Sequence, residues 1–528
     1  MNSATSESVR IAVLLDGDTQ PAWLCAALEK IRSLPFVEIC LIFEKTISRR
    51  KSARPGLWPL YRHVDDRLFA RSANALAPRD VTDLFRDIPR RPLDPALFDA
   101  FGFADYDLDI VWDLGTGMSP SAVAGVSRLG LWRYEFDNEA MHDPSAVGRR
   151  EVFDQAPLTV SSLVGYQPDG QRLCLYRSQS RTVPYSPRRN RDNVYWKSSA
   201  FVQRALLRLH QSKTFLPMPE HANCVATRAA ESSMATALLR AGGNLLGRGW
   251  QKLTAVEQWF VAFKFGTEPD LPQGLSGFQS LIPPKDRFWA DPFPIKRDGR
   301  YFIFIEELPF TTNKGHISVL EVWPDGRSSV PVKVLERDYH LSYPFLFEWQ
   351  GVLYMLPETG QNRTVEVYRC HRFPDDWRLE KVLLSNVLAA DATLFQAGDV
   401  WWMFVNIGEE GTELYDELHL FHAEQPFGTW EPHRLNPVKS DAMSARPAGR
   451  PFLVDGALYR PAQVCAPLYG SAIALNKVER IDSECFVERE VVRLTPDWLP
   501  GLAGCHTYNR SDGLTVVDGF KQTPRFLS

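Results

Sequence analysis

The sequence predicts a chain of the α/β plus all-β class: an N-terminal α/β domain with a parallel sheet, followed by a five-bladed β-propeller. Three observations predict it. A five-fold repeat fills the second half, short apolar runs alternate with a helical pattern in the first, and 44 % hydrophobic with 23 % charged residues over 528 positions is the composition of a globular chain with two or three domains.

The first copy of the repeat reads Trp289-Ala290-Asp291-Pro292-Phe293, then the turn Asp298-Gly299, then an apolar run from Tyr301 to Glu306. Diverged copies set Tyr343-Pro344-Phe345 before Gln350-Gly351, Asp391-Ala392-Thr393 before Gly398-Asp399, Arg450-Pro451-Phe452 before Asp455-Gly456, and Gly504-Cys505-His506 before Asp512-Gly513. From 298 through 350, 398 and 455 to 512, the turns recur every 48 to 57 residues. Such a period, with short strands on either side of a hairpin turn, is the signature of a propeller blade. Gly supplies the positive φ that a two-residue hairpin needs, and Asp tolerates the neighbouring position. The inner strands of the blades surround one channel, so Asp291, Tyr343, Asp391, residues 446–450 and His506 are expected to converge there.

In the first half, Ile11-Ala12-Val13-Leu14-Leu15 reads as a strand buried on both faces. After the turn Asp16-Gly17-Asp18, Pro21 suits a first helical turn, and Leu24, Leu28 and Ile31 mark one helix face. Residues 37–43 complete a βαβ unit. Residues 108–112 read as a third parallel strand, residues 123–129 as a helix, and Leu131-Trp132-Arg133-Tyr134 follows them. Ligands of such sheets sit at the carboxyl ends of the strands, here Asp16-Gly17-Asp18 and Gly115-Thr116-Gly117. Neither is a phosphate-binding glycine motif, so both read as tight turns. Residues 181–197, with Arg181, Arg188, Arg189, Arg191 and Lys197, read as a solvated loop, with a phosphate-facing loop as the alternative. Helical patterns over 194–209 and 226–246 follow. The expected boundaries are 1–210 for the α/β domain, 211–256 for a helical linker and 257–528 for the propeller, with residues 258–263 as its first strand.

A formal charge of -4 gives no global reason to expect nucleic acid. No basic, apolar leader precedes residue 11, and no apolar run approaches the ~20 residues that would cross a bilayer. Eight cysteines are scattered singly, without zinc-site spacing, as free thiols of a reducing compartment would be. These features predict a cytoplasmic protein with no transmembrane segment.

Asp291-Pro292-Phe293 with Asp298-Gly299-Arg300-Tyr301 behind it resembles the opening blade of the five-bladed hydrolases of glycoside hydrolase family 43. The stretch 257–520 resembles the N-terminal domain of glucosamine inositolphosphorylceramide transferases and its bacterial relatives. That resemblance rests on residues 288–293, Lys314-Gly315-His316-Ile317-Ser318, Leu341-Ser342-Tyr343-Pro344, Leu356-Pro357-Glu358-Thr359 and His506-Thr507-Tyr508-Asn509. The first 170 residues resemble the formyltransferase-like fold. Where that family carries G-x-x-N-x-H, this chain has Arg133 for the Asn and Glu135 for the His, so formyl transfer is not expected.

The hydrolase resemblance implies Asp291 as general base and Asp391 at the place of the acid, while the third carboxylate position is Phe345. Glu306, Glu307 and Glu358 are candidates to replace it. Glu306 and Glu307 alternate across a strand, so one alone can enter the channel, and Glu358 is the choice made here. Trp289, Glu307, Tyr343, Arg446, Arg450, His506 and Asn509 are the expected substrate-binding residues. His506 falls where the hydrolases place an axial histidine, often near a cation. A satisfied polar histidine is the reading adopted, with no metal assigned and cofactors left open. The expected activity is that of a glycosyltransferase-like enzyme of glycan or polysaccharide biosynthesis, acting on a sugar or nucleotide sugar. The resembled transferases carry a further domain that these residues do not match, so a glycan-binding module is the alternative and a glycoside hydrolase the second one.

Overall fold

The computed structural model describes residues 8–45, 57–70, 73–93, 106–137, 139–140, 144–212, 234–266, 270–409 and 411–525. It comprises two compact units, Met1–Leu245 with Glu409–Thr412, and Leu246–Gly408 with Glu413–Ser528. The division falls inside the helix Met234–Thr254. Of the segments read as helical linker, residues 213–233 lie outside the described residues, as does Cys224. Among the described residues no helix is long and apolar enough to cross a membrane.

The sheet of the first unit runs, edge to edge, Arg172–Arg181, Leu158–Tyr166, Leu131–Phe136, Ile110–Asp113, Val9–Leu15, Val37–Glu44, Arg90–Pro92. The last five are mutually parallel and the first two antiparallel. The apolar run at the centre is buried along nearly its whole length, as a strand covered on both faces must be. The helix Ala22–Arg32 buries Leu24, Leu28 and Ile31 against the sheet. The helix expected over 123–129 is reduced to the short turns Pro120–Val123 and Ala124–Val126, because Ser127 returns to extended backbone.

The basic stretch 181–197 is not a solvated loop. It holds the helix Pro187–Ser198, capped by Ser186, whose side chain accepts from the Arg189 N–H. Arg188, Arg191 and Lys197 are buried. Asp66 and Asp192 pair with Arg188, Asp192 also pairs with Arg191, and Lys197 donates to Ser180. Ser186 before Pro187 is itself a helix-start signal, and the charges outweighed it in the sequence reading.

The second unit is the five-bladed propeller. Blade one consists of Arg287–Arg297, Arg300–Pro309, His316–Val322 and Val332–Leu335. Blade two holds Ser342–Trp349, Val352–Thr359, Thr364–Arg372 and Asp376–Ser385. Blade three is built on Ala389–Ala397, Val400–Ile407 and Glu417–Ala423, and blade four on Phe452–Val454, Ala457–Val464, Ala472–Ile481 and Phe486–Leu494. Blade five takes Tyr508–Ser511 and Leu514–Pro524 from the end of the repeat, and Ala255–Phe265 and Gln279–Leu281 from before it. Residues 258–263 are thus the first strand of the propeller in chain order, and they belong to blade five. They pair with Leu514–Pro524 and close the ring, which removes the open edges that the first and last strands would otherwise expose.

Four of the five hairpin turns have positive φ at both residues, as at Asp298 (50°) and Gly299 (75°), the geometry that Asp-Gly favours.

Candidate functional site in the propeller channel

Blades one, two and three each break register on the inner strand, between Ala290 and Phe293, Ser342 and Phe345, and Ala390 and Thr393. Inside each break stands one residue in the left-handed region: Asp291 (φ 50°), Tyr343 (47°) and Asp391 (55°). A bulge re-aims a side chain, and a non-glycine residue held at positive φ costs about 1–3 kcal/mol. The same strain at three equivalent positions turns these residues toward one another.

Asp291 joins the first cluster. Its Oδ1 accepts from the Thr507 hydroxyl at 2.8 Å and its Oδ2 from the Tyr343 N–H at 3.1 Å. His506 lies between two carboxylates, its Nδ1 2.6 Å from Asp518 and its Nε2 3.6 Å from Asp291. Burial raises the Asp291 carboxyl to about 7, against the opposing pull of His506. Burial also opposes charge on His506, but Asp518 and Asp291 prevail and raise the imidazole to about 9. These three residues are near enough to offer a metal ion one ligand atom each. The donor set does not fit one: Asp518 already accepts from the N–H groups of Asp291, His506 and Thr507, and the ring nitrogens of His506 face carboxylates.

The second cluster centres on Asp391. Its Oδ2 accepts from Arg446 Nε at 2.6 Å and from Gln463 Nε2 at 2.8 Å. Arg446 also reaches Glu358 at 3.4 Å. Burial, then the charge of Asp391 and a hydrogen bond to it, push Glu358 up to about 8. Beside it, His340 Nε2 lies 3.2 Å from Glu306. Burial opposes the charge of His340, yet Glu306 outweighs it and the group rises to about 9. The channel thus sets five acids, Asp291, Glu306, Glu358, Asp391 and Asp518, against three bases, His340, His506 and Arg446.

The structure brings Asp291, Asp391, Glu358, Arg446 and His506 into this network. Several expected binding residues are placed as braces instead. Tyr343 is fully buried, its hydroxyl held by Thr393 and the Gly449 N–H at 2.8 Å each, so it offers no face to a sugar. Trp289 is buried with its indole N–H on Glu307. Arg450 donates to the Leu346 carbonyl, and Asn509 ties the Arg450 N–H to the Pro292 carbonyl. Glu307 is taken up by Arg287, His316 and Ser318. Burial would raise it, but these hydrogen bonds hold it down at about 2. Strand alternation gives the channel to Glu306.

Sequence reading missed His340, Asp518, Asn406 and Gln463. The last two had a signal. Glu306, Glu358, Asn406 and Gln463 stand at one offset from their turns, at Gly299, Gly351, Asp399 and Gly456, and all face the repeat's inner strand. His340 and Asp518 carry no periodic mark.

In the first unit, the residues that replace the formyl-transfer motif are locked in pairs. Arg133 lies 3.2 Å from Asp113 and donates to the Met118 carbonyl, while Glu135 accepts from Arg172 and the Tyr166 hydroxyl.

Fold and site together define a five-bladed propeller whose strained inner strands hold an acid-rich, histidine-containing channel. Residues 280–497 match the family model described as glucosamine inositolphosphorylceramide transferase 1, N-terminal. Glucosamine inositolphosphorylceramide transferase 1 of Oryza sativa subsp. japonica is 36 % identical over 205 residues, and that of Arabidopsis thaliana 35 % over 211. The alignments cover 38 % and 39 % of this chain and 27 % of each relative, so the chain spans about a quarter of the curated relatives' length. Among solved structures, the catalytic domain of Coprinopsis cinerea GH62 α-L-arabinofuranosidase is 13 % identical at a TM-score of 0.34, covering 51 % of this chain and 98 % of its own. The GH43_1 enzyme of Xanthomonas citri is 12 % identical at 0.34, covering 45 % and 87 %.

Proposed function

We propose that the propeller channel is a glycosyl-transfer centre that moves a sugar from an activated donor to a glycan or inositol-containing lipid acceptor. The observation that carries this reading is geometric: Asp291, Glu358 and Asp391 come from three different blades to meet His506 and Arg446 in one channel, and burial raises the Asp291 and Glu358 carboxyls there. Glycosyl transfer needs one carboxyl that gives a proton and another that takes one or attacks. An acid or base works best when its pKa lies near the working pH. Glu358, protonated at neutral pH and hydrogen-bonded to Asp391, is the acid; Asp291 is the base. Asp391 holds the proton of Glu358 in place, and Arg446, whose charge opposes that proton, positions the two carboxyl groups. The names of the relatives support transfer, with an amino sugar and an inositol phospholipid as the substrates to assay first. The first unit is read as a formyltransferase-like fold without its chemistry, which the pairing of Arg133 and Glu135 supports.

The test is turnover by the full chain, with uridine-diphosphate amino sugars as donors and inositol phosphorylceramide as acceptor, followed by mass spectrometry of the lipid. Wild type is expected to form the glycosylated lipid, and Asp291→Asn and Glu358→Gln to lose it. A second reading, a non-catalytic glycan-binding module, is favoured by the match being to an N-terminal family model and to about a quarter of the relatives' length. It would stand if no donor turned over while calorimetry showed sugar binding that survives Asp291→Asn.

A further inference from the structure

Asn406 is fully buried, and neither its amide nitrogen nor its oxygen has a hydrogen-bond partner. Gln463, equally buried, spends its nitrogen on Asp391 and the Pro447 carbonyl and leaves Oε1 unpartnered. A buried amide without partners is left desolvated with nothing in return, so such groups in a native interior call for an explanation. The strand register supplies it. Asn406 pairs across from Ala390 as Glu306 does from Ala290 and Glu358 from Ser342. Its side chain therefore leaves the strand on the channel face, next to the bulge that holds Asp391.

Resting on the sugar-transfer reading of this channel, we propose that Asn406 and Gln463 form its sugar-ring subsite, reading neighbouring hydroxyls of the ring. The three open atoms ask for donors at Asn406 Oδ1 and Gln463 Oε1 and for an acceptor at Asn406 Nδ2. Hydroxyls provide both. An ammonium group supplies donors alone, and a phosphate supplies acceptors alone while facing Asp391 and Glu358. Solvent reaches the cluster at Glu358 and Arg446, whose side chains are 18 % and 11 % exposed, and not at the two amides.

The experiment is a pair of measurements on the full chain carrying Asn406→Leu, which keeps the volume and removes the amide; Asn406→Ala serves if that variant does not fold. Melting without ligand is expected at a higher temperature than wild type, because an unpaired buried group is gone. Calorimetry with glucose, glucosamine, N-acetylglucosamine and myo-inositol as probes is expected to show at least a tenfold weaker complex with the sugar that wild type binds best, as one lost hydrogen-bonding group of ~1.4 kcal/mol implies. Inorganic phosphate should bind both proteins equally. A lower melting temperature would show that the amide is already satisfied and structural, and would overturn the proposal. So would a raised melting temperature with unchanged sugar affinity. If wild type binds none of the four probes, the sugar-transfer reading falls and takes this subsite with it, whereas weakened sugar binding without lipid turnover leaves the subsite standing and removes only the chemistry.

Discussion

In the first unit Arg133 meets Asp113 at 3.2 Å and Glu135 meets Arg172 at 2.8 Å, so each of these two replaced motif residues has an opposite partner, while Glu151 of the same unit is raised to about 7 by burial. In the channel five acids share three bases, and two carboxyl groups are raised into the neutral range. The difference separates charges that meet in closed pairs, as Arg133 and Glu135 do, from charges that share partners across several blades, as Asp291, Asp391 and Glu358 do. A balanced pair gains nothing from a ligand, while an unbalanced cluster with open amides does.

The largest effects should come from the unbalanced side. Asp291→Asn and Glu358→Gln are each expected to lower turnover by about 10²–10⁴-fold, the worth of a positioned acid or base, without lowering the melting temperature. Retention of activity within a few fold would remove that residue from the chemistry. On the balanced side, Arg133→Met should destabilise the first unit by about 3–5 kcal/mol in denaturant titrations, because the buried Asp113 loses its opposite charge and keeps only its hydrogen bonds from Gly115 and Thr116. Sugar binding by the propeller should not change. An undisturbed first unit would erase the distinction between the two regions.

The channel also sets a pH dependence of stability. Asp291, Glu358, His340 and His506 have folded values of about 7, 8, 9 and 9, above their unfolded 3.8, 4.5, 6.5 and 6.5. Each prefers its proton in the folded state. The stability they add is complete below the unfolded values and is lost as pH rises through the folded ones. The propeller's melting temperature is expected to fall between pH 6.5 and 9, and Glu358→Gln should flatten part of that fall. A melting temperature that rises over this window would contradict the assignment. The smallest effect belongs to the scaffold: Gly299→Ala, at φ 75°, should cost about 1 kcal/mol and leave binding intact.

The repeat made five blades, the convergence of Asp291, Asp391 and His506, and the first βαβ unit legible, because hairpin turns and alternating apolar runs are local signals. Ring closure was not legible, since residues 258–263 pair with a strand some 250 residues later and carry no sign of that partner. The role of Tyr343 was hidden for a different reason. Its position in the repeat says that it faces the axis, but only the fold shows that Thr393 and Gly449 occupy its hydroxyl. Asn406 sat in plain view at the offset of Glu306 and Glu358, and attention to carboxylates alone passed over it.

The account stands most directly on the pH–rate profile of sugar transfer by the wild-type chain. An acid–base channel predicts a bell for kcat/KM, rising as Asp291 loses its proton and falling as Glu358 loses its own, both carboxyls being raised above the usual carboxylate range by burial. Glu358→Gln should remove the alkaline limb along with most of the rate. A rate that is flat from pH 6 to 9, or a bell left unchanged in Glu358→Gln, would contradict it.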